Sequence, residues 1–123
     1  MLMQVANMKD VIVEDASNMP IFTGGKVTIQ KPIDPKKVED INFGLVAFSP
    51  GSRTKKHTHN KEQILIVTEG EGIVAIEEKE YLATPGMVFY IPKGEIHWHG
   101  ATKTTSFKHL SIISPTADAI MKE

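Results

Sequence analysis

The stretch Gly51-Ser52-Arg53-Thr54-Lys55-Lys56-His57-Thr58-His59-Asn60-Lys61-Glu62-Gln63, running on into Ile64-Leu65-Ile66-Val67-Thr68, decides how this chain is read. His57 and His59 stand two apart, and on a β-strand residues two apart point to one face. At a rise of roughly 3.3 Å per residue their Cα atoms lie about 6.6 Å apart. Both imidazoles then reach a single ion about 2.1 Å from each nitrogen. If the two histidines face inward and no bulge intervenes, Gln63 shares their face, whereas Lys56, Thr58 and Glu62 face outward. Glu62 has the wrong parity for a ligand, so the first three candidates are His57, His59 and Gln63.

The same spacing recurs at His97-Trp98-His99, and the fifth histidine of the chain is His109. Histidine is the commonest metal ligand and a ready base near neutral pH. Five of them gathered in three short places of one half of a chain imply one site. The fourth ligand is expected from the His97/His99 pair on a neighbouring strand. The chain has no cysteine, so there is no thiolate or disulfide, and any metal must use nitrogen and oxygen ligands.

Outward from this stretch the chain reads as strands. Short segments of β-formers at 26–30, 42–48, 63–68, 73–76, 79–82, 87–91 and 105–113 are each bounded by glycine, proline or turn residues such as Ser49-Pro50-Gly51, Pro85-Gly86 and Pro92-Lys93-Gly94. Spacing of this kind predicts an all-β sandwich or barrel. Thr116 to Lys122 is expected to form one or two helical turns behind Pro115. The first dozen residues form an irregular arm, expected to lie on the body or on a neighbouring subunit.

At 123 residues and 41% hydrophobic, the chain is expected to be one globular domain, 1–123. Fourteen basic against fifteen acidic residues leave a net charge of -1, which gives no footprint for nucleic acid or an anionic membrane. Apolar runs such as Met87-Val88-Phe89-Tyr90-Ile91 are too short to span a bilayer. The first residues lack a basic leader with an apolar stretch behind it, so a cytoplasmic protein is expected.

Gly51-x5-His57-x-His59-x3-Gln63-x6-Gly70 resembles the first cupin motif, and Gly86-x5-Pro92-x-Gly94-x2-His97 the second. The resemblance covers roughly residues 40–113 and implies a small antiparallel β-barrel of jelly-roll type holding one divalent transition metal. Phe22-Thr23-Gly24, Arg53-Thr54, Leu65-Ile66-Val67-Thr68, His97-Trp98-His99-Gly100-Ala101 and His109-Leu110 are similar to one cupin subgroup, the carboxymuconolactone decarboxylase-like cupins and manganese-dependent hydroxynitrile lyases. By that resemblance His57, His59, Gln63 and His97 hold the metal, and His99 and His109 line the pocket as catalytic groups. The chain departs from the pattern at Gln63, where cupins often carry glutamate, at Ala101, where many carry asparagine, and at Lys55-Lys56 and Asn60-Lys61-Glu62, where the lyases are more apolar. Pairing of cupins through an N-terminal strand implies a homodimer or higher homo-oligomer.

Three imidazoles and an amide are neutral, so an ion's +2 charge stays uncancelled, acidifies a bound hydroxyl and attracts anionic groups. Such donors suit Mn2+, Fe2+, Ni2+, Co2+ or Zn2+, and spacing does not choose among them; the resemblance favours Mn2+ or Fe2+. The expected function is a metal-dependent enzyme acting on a small oxygenated organic molecule. Lyase chemistry comes first, hydroxynitrile lyase-like or decarboxylase-like, with His99 or His109 taking a hydroxyl proton. An iron-dependent dioxygenase and a non-enzymatic small-molecule-binding or regulatory cupin are the alternatives. The plainer readings are that His99 merely orients its neighbours, that His109 is structural, that Trp98 packs, and that Lys55, Lys56 and Lys61 form a solvated face.

Overall fold

The computed structural model describes residues 2–123. Among them thirteen strands follow in order: β1 (Glu14–Asp15), β2 (Phe22–Thr23), β3 (Val27–Gln30), β4 (Asn42–Phe48), β5 (Arg53–Thr54), β6 (His57–His59), β7 (Gln63–Gly70), β8 (Gly72–Ile76), β9 (Glu80–Ala83), β10 (Val88–Ile91), β11 (His97–Ala101), β12 (Phe107–Ile113) and β13 (Ala119–Met121). They form two antiparallel sheets in a jelly roll. One sheet runs β1-β3-β4-β12-β7-β10. The other runs β13-β6-β11-β5-β2, with β8 on the far side of β11 and β9 beyond it. Short 3-10 turns occur at Met8–Asp10 and Pro35–Lys37. Among the described residues no helix is long and apolar enough to cross a membrane.

Alternation along the strands builds the core. On β7, Gln63, Leu65 and Val67 are buried while Ile64 and Ile66 are half-buried on the outer face. On β12, Phe107 and His109 are buried, and Lys108 and Leu110, one after each, are half-buried. Phe48, Leu65, Val67, Val74, Ala101 and Phe107 belong to one apolar cluster between the sheets. Burying Phe48 or Phe107 contributes about 1.5–3 kcal/mol each. His57, His97 and His109 are as fully buried as these apolar side chains. Phe89 packs on the core from β10, whereas Tyr90 is exposed and its hydroxyl bonds the Glu62 carboxylate.

Two register shifts place the site. Gly100 pairs with Arg53, but His97 pairs with His57, so β5 and β6 spend one residue more than β11 does. The pair Lys55-Lys56 is therefore bulged opposite Trp98, and it returns both Thr54 and His57 to the buried side although they are three apart. A second shift between Lys108 and His109 leaves Thr68 unpaired on β7, and the Thr68 hydroxyl donates to the Lys108 carbonyl.

The segment 116–122 corrects the expected helical turn. Ala117 N–H closes a turn onto the Ser114 carbonyl, and residues 119–121 then pair with β6 as Ala119↔His59, Ile120↔Thr58 and Met121↔His57. The edge of β6 was within reach to pair with, and tertiary pairing overrode the local helix preference. At the other end the irregular arm lies on the body: Gln4 bridges the Lys37 carbonyl and the Asp34 N–H, and the Gln30 amide donates to the Met8 and Val11 carbonyls.

Candidate metal centre

β6 and β11 bring the histidines together as direct cross-strand neighbours. The ring centroids of His57 and His97 are 4.2 Å apart, those of His57 and His59 4.8 Å, and those of His59 and His97 5.5 Å. One ring nitrogen from each of the three lies within 4.8 Å of the others. Which nitrogens these are follows from the hydrogen bonds. His57 Nδ1 faces the Lys55 carbonyl at 2.7 Å, His97 Nδ1 the Glu95 carbonyl at 2.9 Å, and His59 Nδ1 the Asp118 carbonyl at 3.3 Å. A carbonyl only accepts, so Nδ1 carries the proton in each ring and Nε2 keeps its lone pair. All three Nε2 atoms are buried and have no protein partner.

Gln63 completes the set. Its side-chain Nε2 donates to Ser111 Oγ at 2.9 Å, and the carbonyl oxygen Oε1 is buried without a partner. Four buried acceptors with nothing to accept from cost free energy in a protein interior. A divalent cation at the triad would satisfy the three nitrogens, and the Gln63 oxygen, which lines the same cavity as His57 and His59, is the natural fourth ligand. Two ligand atoms each about 2.1 Å from one ion stand at most about 4.2 Å apart, so small ring rotations close the triad on it. The donor set fits a metal of the nitrogen-and-oxygen class.

Burial keeps these rings neutral. It lowers His57 to about 3, helped by the neighbouring His97 and opposed by the bond to Lys55. Burial likewise lowers His97 to about 4, against the bond to Glu95, and it lowers His59 against the bond to Asp118. Lone pairs are thus free for an ion well below neutral pH.

His99 and His109 are not part of the triad. They form a second pair, with His109 Nε2 and His99 Nδ1 3.0 Å apart and rings meeting edge to face. The partner of the His99 ring is thus another imidazole, and the His99 backbone N–H donates to Thr54 Oγ1 at 3.1 Å. Burial lowers His109 to about 4. Burial also takes His99 well below its ordinary value, with the charge of a protonated His109 adding to the effect. Both line a cavity of about 270 Å³ together with His57, His59 and Gln63. Its remaining wall is mainly apolar, with Met19, Ile21, Phe22 and Ile113 prominent, carries the hydroxyls of Thr54, Ser111 and Ser114, and includes no Lys, Arg, Asp or Glu among the described residues. Trp98 points away and lies under the Arg53 guanidinium, 4.3 Å from its centroid.

Sequence reasoning missed Ser111, Thr54, Asn60 and the Asp118 carbonyl. A hydroxyl or a backbone oxygen has no characteristic spacing; the parity of Ser111 with His109 on β12 was the one available signal.

The family model described as a cupin domain matches residues 44–113. The chain is similar to the (R)-mandelonitrile lyase of Granulicella tundricola, 47% identical over 72 residues that make up 54% of this chain and 52% of that protein. It is also similar to an auxin-binding protein of Nicotiana tabacum, 31% identical over 70 residues, 49% of this chain and 37% of that one. The chain thus spans about half or less of the length of the curated relatives it matches. A solved cupin-like protein of Thermotoga maritima superposes with a TM-score of 0.77 at 31% identity, covering 92% of this chain and 90% of that one. The polyketide cyclase RemF of Streptomyces resistomycificus shares the fold at a TM-score of 0.86 and 21% identity, over 99% of this chain and 87% of that one. The model match takes in more than half of the sequence, and the chain belongs to the cupin domain family.

Proposed function

We propose that this chain is a metal-dependent cupin enzyme of lyase type, cleaving a small neutral molecule that carries a hydroxyl beside the bond to be broken, as a cyanohydrin does. One observation carries the reading: three unpartnered imidazole nitrogens gather within 4.8 Å of one another, and two of their rings share with the unpartnered amide oxygen of Gln63 a cavity that is otherwise mainly apolar and uncharged. A divalent ion held by His57, His59, His97 and Gln63, with Mn2+ or Fe2+ the ions we favour, supplies Lewis acidity to a hydroxyl oxygen beside it.

The rest is the work of the chain's own residues. His99, neutral because it is buried, takes the hydroxyl proton. His109 holds the His99 ring in place through the bond between them. As the carbon–carbon bond breaks, the hydroxyl carbon becomes a carbonyl, cyanide leaves with the bonding pair, and the proton leaves with it as hydrogen cyanide. The mainly apolar wall seats an aryl or alkyl group and limits water.

The test is release of benzaldehyde from mandelonitrile, followed by absorbance, with the metal-loaded protein. We expect turnover that falls on chelation and in Gln63→Ala together with metal content, since the substitution removes one of four ligand atoms. Turnover that survives with the metal gone would sink the reading. Similarity to an auxin-binding protein favours a second one, a small-molecule-binding cupin; metal-loaded protein that binds auxin and consumes no cyanohydrin would establish it instead.

A further inference from the structure

Two rings of the triad are oriented by the backbone just ahead of their own strand, and the third is not. His57 and His97 each meet the carbonyl two residues back, at Lys55 and Glu95. His59 Nδ1 instead meets the Asp118 carbonyl, 59 residues further along the chain. We propose that the segment Ser114–Glu123 is a working part of the metal centre: the Asp118 carbonyl sets the tautomer and direction of His59, and Asn60 holds that carbonyl in place as a positioning residue. The proposal rests on the metal reading of the triad.

The segment is pinned on both sides of Asp118. β13 pairs with β6 over three residues, and Lys122 N–H donates to the Lys56 carbonyl at 2.8 Å. Beyond the end of that ladder the Asn60 side chain takes over, its Oδ1 accepting from Asp118 N–H at 2.7 Å. At the far end the Glu123 carboxylate accepts from Lys56 N–H at 2.6 Å and from Arg53 Nη2 at 2.8 and 3.1 Å. Asp118, Ala119 and Ile120 are themselves exposed, so without these pins an edge strand of three residues frays readily. The cost of fraying falls on His59, which is only half-buried. A ring whose Nδ1 has lost its acceptor divides between two tautomers, and the one protonated at Nε2 has no lone pair to give an ion. Ala117 and Ala119 also line the cavity, so the same segment walls the space beside the ion.

Asn60→Ala removes the acceptor for Asp118 N–H, Asn60→Asp keeps it, and a chain ending at Pro115 removes the segment. Nitrogen NMR of the metal-free proteins above neutral pH reads the tautomer of each histidine, and competition against a chelator reads the Mn2+ affinity. In the parent protein His59 should be protonated at Nδ1 alone. In Asn60→Ala and the shortened chain it should become a mixture, His57 and His97 unchanged, with Mn2+ affinity lower by roughly 10–100-fold. Asn60→Asp should restore both. A folded variant in which His59 keeps its tautomer and Mn2+ binds as in the parent overturns the proposal. Should the shortened chain fail to fold, the Asn60 pair decides. If the parent binds no Mn2+ the metal reading falls, while the tautomer comparison still tests the role of the segment.

Discussion

A Gly100→Ala protein is expected to be cooperatively destabilised by about 3 kcal/mol or more, the upper end of what overpacking costs. Gly100 lies on β11 next to His99, between Arg53 of β5 and Ile73 of β8. A Cβ there would sit 2.3 Å from Arg53 Cβ, 2.4 Å from Arg53 Cα and 2.5 Å from the Ser52 carbonyl oxygen. Two of these three atoms are backbone, so no rotamer change relieves the clash. β5 must move away from β11 by about an ångström to reach ordinary contact, and the bond from Ala101 N–H to the Ser52 carbonyl, 2.9 Å, breaks with it. The same movement loosens Thr54 Oγ1 from His99 N–H and Arg53 from Trp98, so the site is disturbed along with the sheet. For a domain of this size we expect the melting temperature to fall by about 10 °C or more. Gly86→Ala is the comparison: its φ is +95°, but a Cβ meets nothing within 4 Å, leaving only the backbone strain of about 1–2 kcal/mol. Thermal unfolding followed by circular dichroism orders the two. If Gly86→Ala is the more damaging, close packing at Gly100 is not what holds β5 to β11.

That crowding was not legible in the sequence, and the reason separates what could be read from what could not. Asn42–Phe48 was readable to the residue because alternation and the flanking turn agree. Period-2 burial on β7 and β12, and the likeness to cupin motifs, carried the fold class. Parity also put His57 and Gln63 at one cavity, though by a different path. The chain breaks between β6 and β7, and the bulge at Lys55-Lys56 sets His57 inward from outside its own strand. A bulge is a property of two strands in register, and one strand's residues do not announce it. The residues 116–122 went wrong for a related cause. Ala117, Ala119, Met121 and Lys122 favour a helix locally, and only the fold shows that β6 has a free edge within reach. In the site, imidazoles two apart are visible in sequence, whereas the Lys55, Glu95 and Asp118 carbonyls that aim them belong to the backbone and carry no residue signature.

Metal-free protein should lose most of its stability between pH 6.5 and 4. In an unfolded chain the imidazoles protonate near 6.5. In the fold, burial holds His97 and His109 to about 4 and His57 to about 3. Above pH 6.5 both states are neutral at these positions and stability does not depend on pH through them. Below it the unfolded chain binds protons that the folded one refuses, so stability drops as pH falls, and the drop ends only when the folded pKa values are reached. Each group contributes at most about 1.4 kcal/mol per pH unit, so the three together approach about 4 kcal/mol per unit. Against a typical total of about 5–15 kcal/mol, that is enough to unfold the apo-protein before pH 4. Urea midpoints at pH 7, 6 and 5 measure it, and a midpoint unchanged across that range would contradict the burial of these rings. His109→Leu isolates one of them without touching the triad nitrogens, and it should remove one group's share of the slope, at most about 1.4 kcal/mol per pH unit, whatever it does to the level at pH 7. Added Mn2+ raises stability by mass action, and because burial keeps His57 and His97 deprotonated well below neutral pH, the gain should persist from pH 7 to pH 5. An ion held by solvent-exposed imidazoles would lose its effect as the pH falls through about 6.5, so a gain that persists to pH 5 ties the ion to the buried His57 and His97.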